Sequence, residues 1–491
     1  MHLQFFLNRQ NNTLLLFSLL GIAIGFFTPI AVEHAMNGSN LLLGLTTFAL
    51  PVLLLIVSRP VFGALAIVGF AFVSPSFLPP LIEFGELSLR YVDGVLAFLI
   101  CIVLARIALR HRISISTEFR ELFGPLLLFL LYIGISLVVV RVRNPELFAA
   151  SLASYLRLII TVSFAPVLHF ALRDRWDMYI FHNGLIIFAM TTVALGQWLV
   201  GAGLEVGGTE AFGDRSGGLL GTSSLGLVSG LLVLYAFIKR DEKPRSLEWA
   251  ISLALGLLGL SLDKSAISIF AVAGAVTVYI AAMRSHRGGA TGLVRVAVVG
   301  TILTAAAVLA ILTFRPNDMS QLADLSGGSF AVRLMLGYAG ILIFLDNPLI
   351  GVGWQASSAE GVIASPVLIS TLGETFSHLT TSIFSVTARI SVHNMYIQFL
   401  AELGIIGFAL FAWVFFRTAK RAGRIVRKVP AESPYKSRLQ FYAVALLFLF
   451  LWWNGNPLYG GQTESILAVT FLALLANTAQ LERQRAEIGY R

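Results

Sequence analysis

Five residues of this 491-residue chain pair charge or basicity with an apolar setting: Arg157, Arg215, Lys264, Arg333 and His393. An arginine fork grips an oxyanion through two parallel hydrogen bonds, which makes phosphate a favoured partner. A histidine titrates near neutral pH and can take a proton from a hydroxyl. Clustered cations and one base are the groups needed to displace a phosphate leaving group with an alcohol. Each residue also has a plainer reading. Arg215 could pair with Asp214 in a solvated loop, and Lys264 with Asp263 at a hairpin tip. Arg333 could reach for a membrane surface, Arg157 could sit in an ion pair inside a bundle, and His393 could cap a helix.

The elements that must position these residues are apolar helices. The chain is 57% hydrophobic and 12% charged, with a mean hydropathy of +0.83. Soluble domains are about 45–50% apolar and about 25% charged. A cytosolic enzyme and a disordered chain are therefore excluded, and the long continuous apolar runs exclude a β-barrel. Cys101, the single cysteine, lies within an apolar run, which leaves no disulfide framework or zinc cluster. Hydropathy gives about fourteen spans (12–14) at 13–32, 40–57, 61–77, 92–109, 122–141, 147–171, 178–200, 218–238, 247–262, 265–283, 293–314, 394–416, 438–454 and 463–479. The first reads as an uncleaved span, the third is short and interrupted by proline, and 247–283 reads as two short spans turning at Asp263-Lys264. No internal repeat is visible.

Charge tests this threading. With the N-terminus in the cytoplasm, most of the 35 lysines and arginines fall in alternate, inward loops, as basic residues do in membrane proteins. The net charge of +9 thus needs no nucleic acid. Outside remain Arg90, Arg141, Arg143, Arg157, Arg215, Lys264, Arg315, Arg333 and Arg389. Arg141 and Arg143 flank a span end and can snorkel; the five residues named at the outset then share one side of the membrane. That side also holds the Gly201–Gly217 loop and a long segment, 315–392. Within the segment, Ser329–Phe344 is apolar apart from Arg333, which predicts a helix on the membrane surface or against the bundle. Asp346-Asn347-Pro348 should end it, and Gly351-Val352-Gly353 should turn. Glu402, mid-span, must find an internal partner; a role in bracing the bundle beside Gly404 and Gly407 is the expectation. The organisation reads as N-terminal helices (1–130), central helices (131–314), a long outer loop (315–392) and C-terminal helices (393–491).

Four segments resemble the O-antigen ligase and polymerase superfamily. They are Gly213-Asp214-Arg215-Ser216-Gly217 with Gly221-Thr222-Ser223; Leu262-Asp263-Lys264-Ser265-Ala266; Arg333 through Asn347-Pro348-Leu349-Ile350-Gly351-Val352-Gly353; and His393-Asn394-Met395-Tyr396 through Glu402-Leu403-Gly404-Ile405-Ile406-Gly407. They run in order over roughly 130–420. Lys264 stands where many members have arginine, which keeps the charge and loses the fork.

The resemblance implies an all-α polytopic bacterial inner-membrane protein of the GT-C-like kind, with both termini cytoplasmic and a periplasmic site. It implies a glycan donor linked to undecaprenyl pyrophosphate, membrane lipids around it, no nucleic acid, and neither cofactor nor metal. In such a site Arg215 and Arg333 hold the pyrophosphate, His393 accepts the proton of the acceptor hydroxyl, and the anomeric centre inverts. Arg157, Lys264, Asn394 and Tyr396 contact substrate. The acceptor is the next lipid-linked repeat in a polymerase, or lipid A-core in a ligase. Chain length, spans beyond about twelve and the Ser/Thr-rich stretch Ser365–Ser391 favour a polymerase. A lipid-linked oligosaccharide transporter is the rival class, but it would set polar groups near the midplane in repeated halves.

Overall fold

The computed structural model describes residues 56–73, 82–84, 87–110, 115–172, 174–201, 222–263, 265–284, 300–302, 328–358, 366–375, 392–458 and 463–489. The first expected span, nearly all of those at 40–57 and 293–314, and the candidate residues Arg215 and Lys264 lie outside them. The described helices are α1 Pro60–Ala71, α2 Tyr91–Arg110, α3 Thr117–Arg143, α4 Phe148–Ala171, α5 Arg175–Gly201, α6 Thr222–Glu242, α7 Leu247–Asp263, α8 Ala266–Val278, α9 Gly328–Asp346, α10 Pro366–Thr375, α11 Met395–Lys428, α12 Lys436–Trp452 and α13 Thr463–Gly489. A small antiparallel hairpin, β1 Ile82–Phe84 and β2 Leu87–Leu89, pairs Glu83 with Ser88.

The architecture is a helical membrane bundle, as expected. Among the described helices, five are long and apolar enough to cross a bilayer: Thr117–Arg143, Pro145–Ala171, Arg175–Trp198, Met395–Lys428 and Thr463–Glu487. The expected span at 61–77 is cut back. Its helix α1 has 12 residues, a rise of about 18 Å against a hydrocarbon core of about 30 Å. α3 shows why the long helices hold. The Ser116 hydroxyl accepts from Phe119 N, Glu118 stands in the first turn, and Arg141 and Arg143 stand in the last. Its orphan amide is thereby capped and the helix dipole matched at both ends.

α13 is the central post, with 89% of its apolar window buried. Polar ties fix it. Asn477 donates to Leu172 O (3.1 Å) and shares a hydrogen bond with His169 Nδ1 (2.5 Å), both at the end of α4. Arg483 pairs with Glu118 at 2.9 Å, and Thr463 donates to Ala71 O at 2.6 Å. Small residues bring α6, α7 and α8 together. A side chain at Gly256 would meet Val233 at 2.8 Å, and one at Gly230 would meet Val272 at 2.8 Å. α7 ends at Asp263, and α8 begins at Ala266 with Ser265 as its N-cap.

The segment around α9 and α10 has its own small core. Met335, Ala339 and Ile343 of α9 pack with Val352, Ala356, Leu372 of α10, Ala401 of α11 and Val140 of α3. The two readings of Ser329–Phe344 thus resolve in favour of a helix packed on the bundle, and it ends at Asp346.

The turns α3–α4 and α11–α12 should lie on opposite sides of the membrane. Glu146 and Glu432 are exposed in these turns. In a Cys101→Ser background, Glu146→Cys should react with an impermeant thiol reagent on intact spheroplasts, and Glu432→Cys only after lysis. The reverse labelling would overturn the outer placement of the candidate site.

Candidate functional site

The site is organised by a break in α11. Gly404, at φ +65°, interrupts the 34-residue helix. That left-handed backbone suits glycine alone among common residues. The break frees carbonyls before it and amides after it, and a neighbouring segment takes them up. Val352 N donates to Ala401 O (3.0 Å) and Gly353 N to Glu402 O (2.8 Å); Ile405 N donates to Pro348 O (2.8 Å) and Ile406 N to Leu349 O (3.3 Å). The Tyr132 hydroxyl of α3 caps Leu403 O at 3.1 Å. Gly351 (φ +66°) and Gly353 (φ +99°) supply the turns that let residues 348–353 run beside α11.

Glu402 locks this contact from within. It is fully buried. Its carboxylate accepts from the Ser357 hydroxyl (2.6 Å), Gln355 N (3.0 Å) and Gln398 Nε2 (3.3 Å). Gln398 carries the network on, accepting from Leu458 N at 2.8 Å, while Gln355 Nε2 donates to Leu458 O at 3.3 Å. The expected bracing role thus has specific partners. Gln355, Ser357 and Gln398 were missed from the sequence. A buried acid demands donors, and the polar run Gln355-Ala356-Ser357 after an apolar turn was the available signal. Arg143 was also misjudged: it donates to Asn347 Oδ1, tying α3 to the same segment rather than only reaching for solvent.

His393 is half-buried, just ahead of α11. Asn394 is the N-cap, its Oδ1 accepting from Tyr396 N (3.0 Å) and Ile397 N (3.1 Å). Its amide donates to Asn454 O at 2.8 Å, and the Tyr396 hydroxyl donates to Phe450 O at 2.5 Å. Both side chains anchor the start of α11 to the end of α12. Arg333 approaches from α9. Residues 333, 337 and 340 share one helix face, and side chains at Gly337 and Gly340 would meet Ile397, that at Gly340 also Val392. Arg333 is one turn beyond Gly337 on that face, so the structure brings it and His393 to the same end of α11.

Arg157 lies in α4, half-buried, and meets a residue not singled out before, Arg90 at the end of the β-hairpin. Burial, and then the Arg157 charge, push the Arg90 pKa below the usual arginine value, while Asp93 opposes the shift. Asp93 also accepts from Arg90 N at 2.8 Å. Two guanidinium groups close enough to feel each other make a second cationic point. Among the described residues, no group of three His, Cys, Asp or Glu side chains is arranged to hold a metal ion.

The lock should be visible in stability. Glu402→Leu strands three donors, each costing about 1–3 kcal/mol. Gly404→Ala forces a side chain onto a backbone conformation (φ +65°, ψ −170°) that is essentially reserved for glycine, at roughly 1–3 kcal/mol, with its Cβ against the Leu349 carbonyl. Both should lower the thermal midpoint of the detergent-purified protein, and Glu402→Gln should lower it less. An unchanged midpoint in Glu402→Leu would show that the network is not a lock.

None of the curated proteins compared with the chain matches it. A family model, described as O-antigen ligase, matches residues 249–412. That span is narrower than the expected 130–420. It takes in α7 to α9, the 347–358 segment and the broken first half of α11, and therefore Lys264, Arg333, His393, Asn394, Tyr396 and Glu402. Arg157 and Arg215 fall before it. The backbone pairing around Gly404 and the Glu402 network thus lie almost wholly within the segment, residues 249–412, that is similar to the O-antigen ligase family.

Proposed function

We propose that the chain is an inner-membrane glycan transferase. Its donor is a glycan on undecaprenyl pyrophosphate, and it works at the periplasmic face, both termini being cytoplasmic. What supports this reading is that the face of α9 bearing Arg333 packs, through Gly337 and Gly340, against Ile397 and Val392 beside His393, inside the family-matched segment. Arg333 and Arg215, helped by Arg157 and Lys264, hold the pyrophosphate. The acceptor oxygen attacks the anomeric carbon as the bond to the phosphate oxygen breaks. The bonding pair leaves on pyrophosphate, and the hydroxyl proton passes to His393. Attack opposite the leaving group inverts the centre. Preorganised guanidinium groups in a dry site are well suited to the growing charge, and no metal is required. Asn394 and Tyr396 serve by fixing the start of α11 under the histidine.

The acceptor favoured is a second lipid-linked repeat unit, which makes a polymerase. The description of the matching family favours a second reading, transfer to lipid A-core. The two part on acceptor: purified protein given donor alone should lengthen chains if it polymerises, and should need added lipid A-core if it ligates.

In that reconstituted assay, Arg333→Ala should lower kcat by on the order of 100-fold or more, and Arg333→Lys should recover only part, since charge returns without the fork. His393→Ala should lose roughly 100- to 10,000-fold while retaining donor binding. The wild-type rate should fall on the acid side as the imidazole protonates, and this limb should vanish from the residual activity of His393→Ala. Activity should persist in EDTA. Full activity in Arg333→Ala, or loss of donor binding with normal turnover in His393→Ala, would contradict these roles.

A further inference from the structure

A cavity of about 950 Å3 runs through the bundle between α3, α4, α11, α12 and α13. At one end it is bounded by Met395, Trp453 and Leu458; at the other by Arg427 and Lys436, near the last turn of α11 and the first of α12. Between these ends the wall is mainly apolar, with the hydroxyls of Thr161, Thr418 and Ser465 the exceptions. On α11 it is also set back, because Ala419, Ala422 and Gly423 face it and a Cβ on Gly423 would touch nothing within 4 Å. The volume is at the upper end of the roughly 300–1,000 Å3 usual for ligand sites.

The charged end is built rather than incidental. Lys436 Nζ donates to Val426 O (2.5 Å) and Val429 O (2.7 Å), fixing an ammonium at the C-terminal end of α11 with one donor left over. Arg427 Nε donates to Gly423 O at 3.2 Å, which turns the guanidinium back along the helix. Neither cation forms an ion pair among the described residues. Arg424 and Lys428 add to the positive potential there. Lys and Arg concentrate at the cytoplasmic ends of spans, where the leaflet carries anionic lipid.

We infer that an anionic phospholipid of the cytoplasmic leaflet seats here, with its phosphate on Arg427 and Lys436 and an acyl chain along the cavity. Charge complementarity selects this occupant. The tail of a donor whose pyrophosphate sits at the opposite end of α11 would leave Arg427 and Lys436 without an anion. The site is separate from the transfer chemistry and binds the turn between α11 and α12 to the membrane surface.

The test uses the delipidated full-length protein and native mass spectrometry, with dioleoyl-phosphatidylglycerol, dioleoyl-phosphatidylcholine and undecaprenyl phosphate as probes. One phosphatidylglycerol should be retained in preference to phosphatidylcholine. Arg427→Gln should weaken that retention about fivefold, the contribution of one basic residue near an anionic surface. Gly423→Leu, whose side chain enters open space, should weaken retention of both phospholipids with unchanged helical circular dichroism. Equal retention of the two phospholipids would overturn the proposal, as would retention indifferent to Gly423→Leu. Preferred retention of undecaprenyl phosphate, insensitive to Arg427→Gln, would assign the cavity to a polyprenyl tail and overturn it too. None of these readouts involves glycan transfer, so their failure leaves the transferase reading standing.

Discussion

A broken helix inside an apolar bundle must have its backbone polar groups satisfied by protein, because lipid offers none. α11 breaks at Gly404, and this single requirement organises the end of the structure that holds the candidate site. Each stranded carbonyl or amide there would cost roughly 1–3 kcal/mol. The 348–353 segment and Tyr132 take up Ala401 O, Glu402 O, Leu403 O, Ile405 N and Ile406 N. The pairing is specific in register, since a shift by one residue would lose the four backbone bonds of the 348–353 segment and would place a side chain where Gly351 or Gly353 must turn. Glu402 repeats the specification with its carboxylate, reaching Gln355 across 47 residues of sequence.

Position follows from that constraint. Because residues 348–353 are pinned to the middle of α11, the helix leading into them, α9, must lie along the first half of α11. Gly337 and Gly340 permit the close approach, and Arg333 is carried to the end where His393 begins the next helix. Asn394 and Tyr396 hold that end against Asn454 and Phe450. The chemistry proposed needs few moving parts: cations for a leaving pyrophosphate and one base for a hydroxyl, both supplied by the ends of rigid elements. Rigid support of this kind is what electrostatic stabilisation of a developing charge requires.

Much of this was legible in the sequence, for physical reasons. The expected spans 122–141, 178–200 and 463–479 fall within the observed helices 117–143, 175–201 and 463–489, because apolar length is a local property; the polar extensions of these helices are not visible to hydropathy. The end of α9 at Asp346 follows from Asn347-Pro348. α1, expected as a short span at 61–77 interrupted by proline, ends as a helix at Ala71, a limit that hydropathy alone does not set. The partners of Glu402 were out of reach because they depend on tertiary pairing; composition shows only that an acid at that depth needs donors. Asn394 illustrates the same limit. Its side chain beside a histidine reads as substrate contact; the bonds the structure gives it, capping α11 and reaching Asn454 O, depend on tertiary position. Arg90 was passed over because its neighbour Arg157 is 67 positions away in sequence and adjacent only in the fold.

The central claim is that the anion-holding end of α9 and the His393 end of α11 share one substrate. The most direct measurement is photocrosslinking with a lipid-pyrophosphate glycan analogue carrying its photoreactive group on the first sugar, followed by peptide mapping of the reconstituted protein. The account predicts crosslinks in both the 333–340 stretch of α9 and the 392–397 stretch of α11, competed away by unmodified donor. Crosslinks confined to the Arg427–Lys436 end of the bundle, or absent from both stretches, would contradict it.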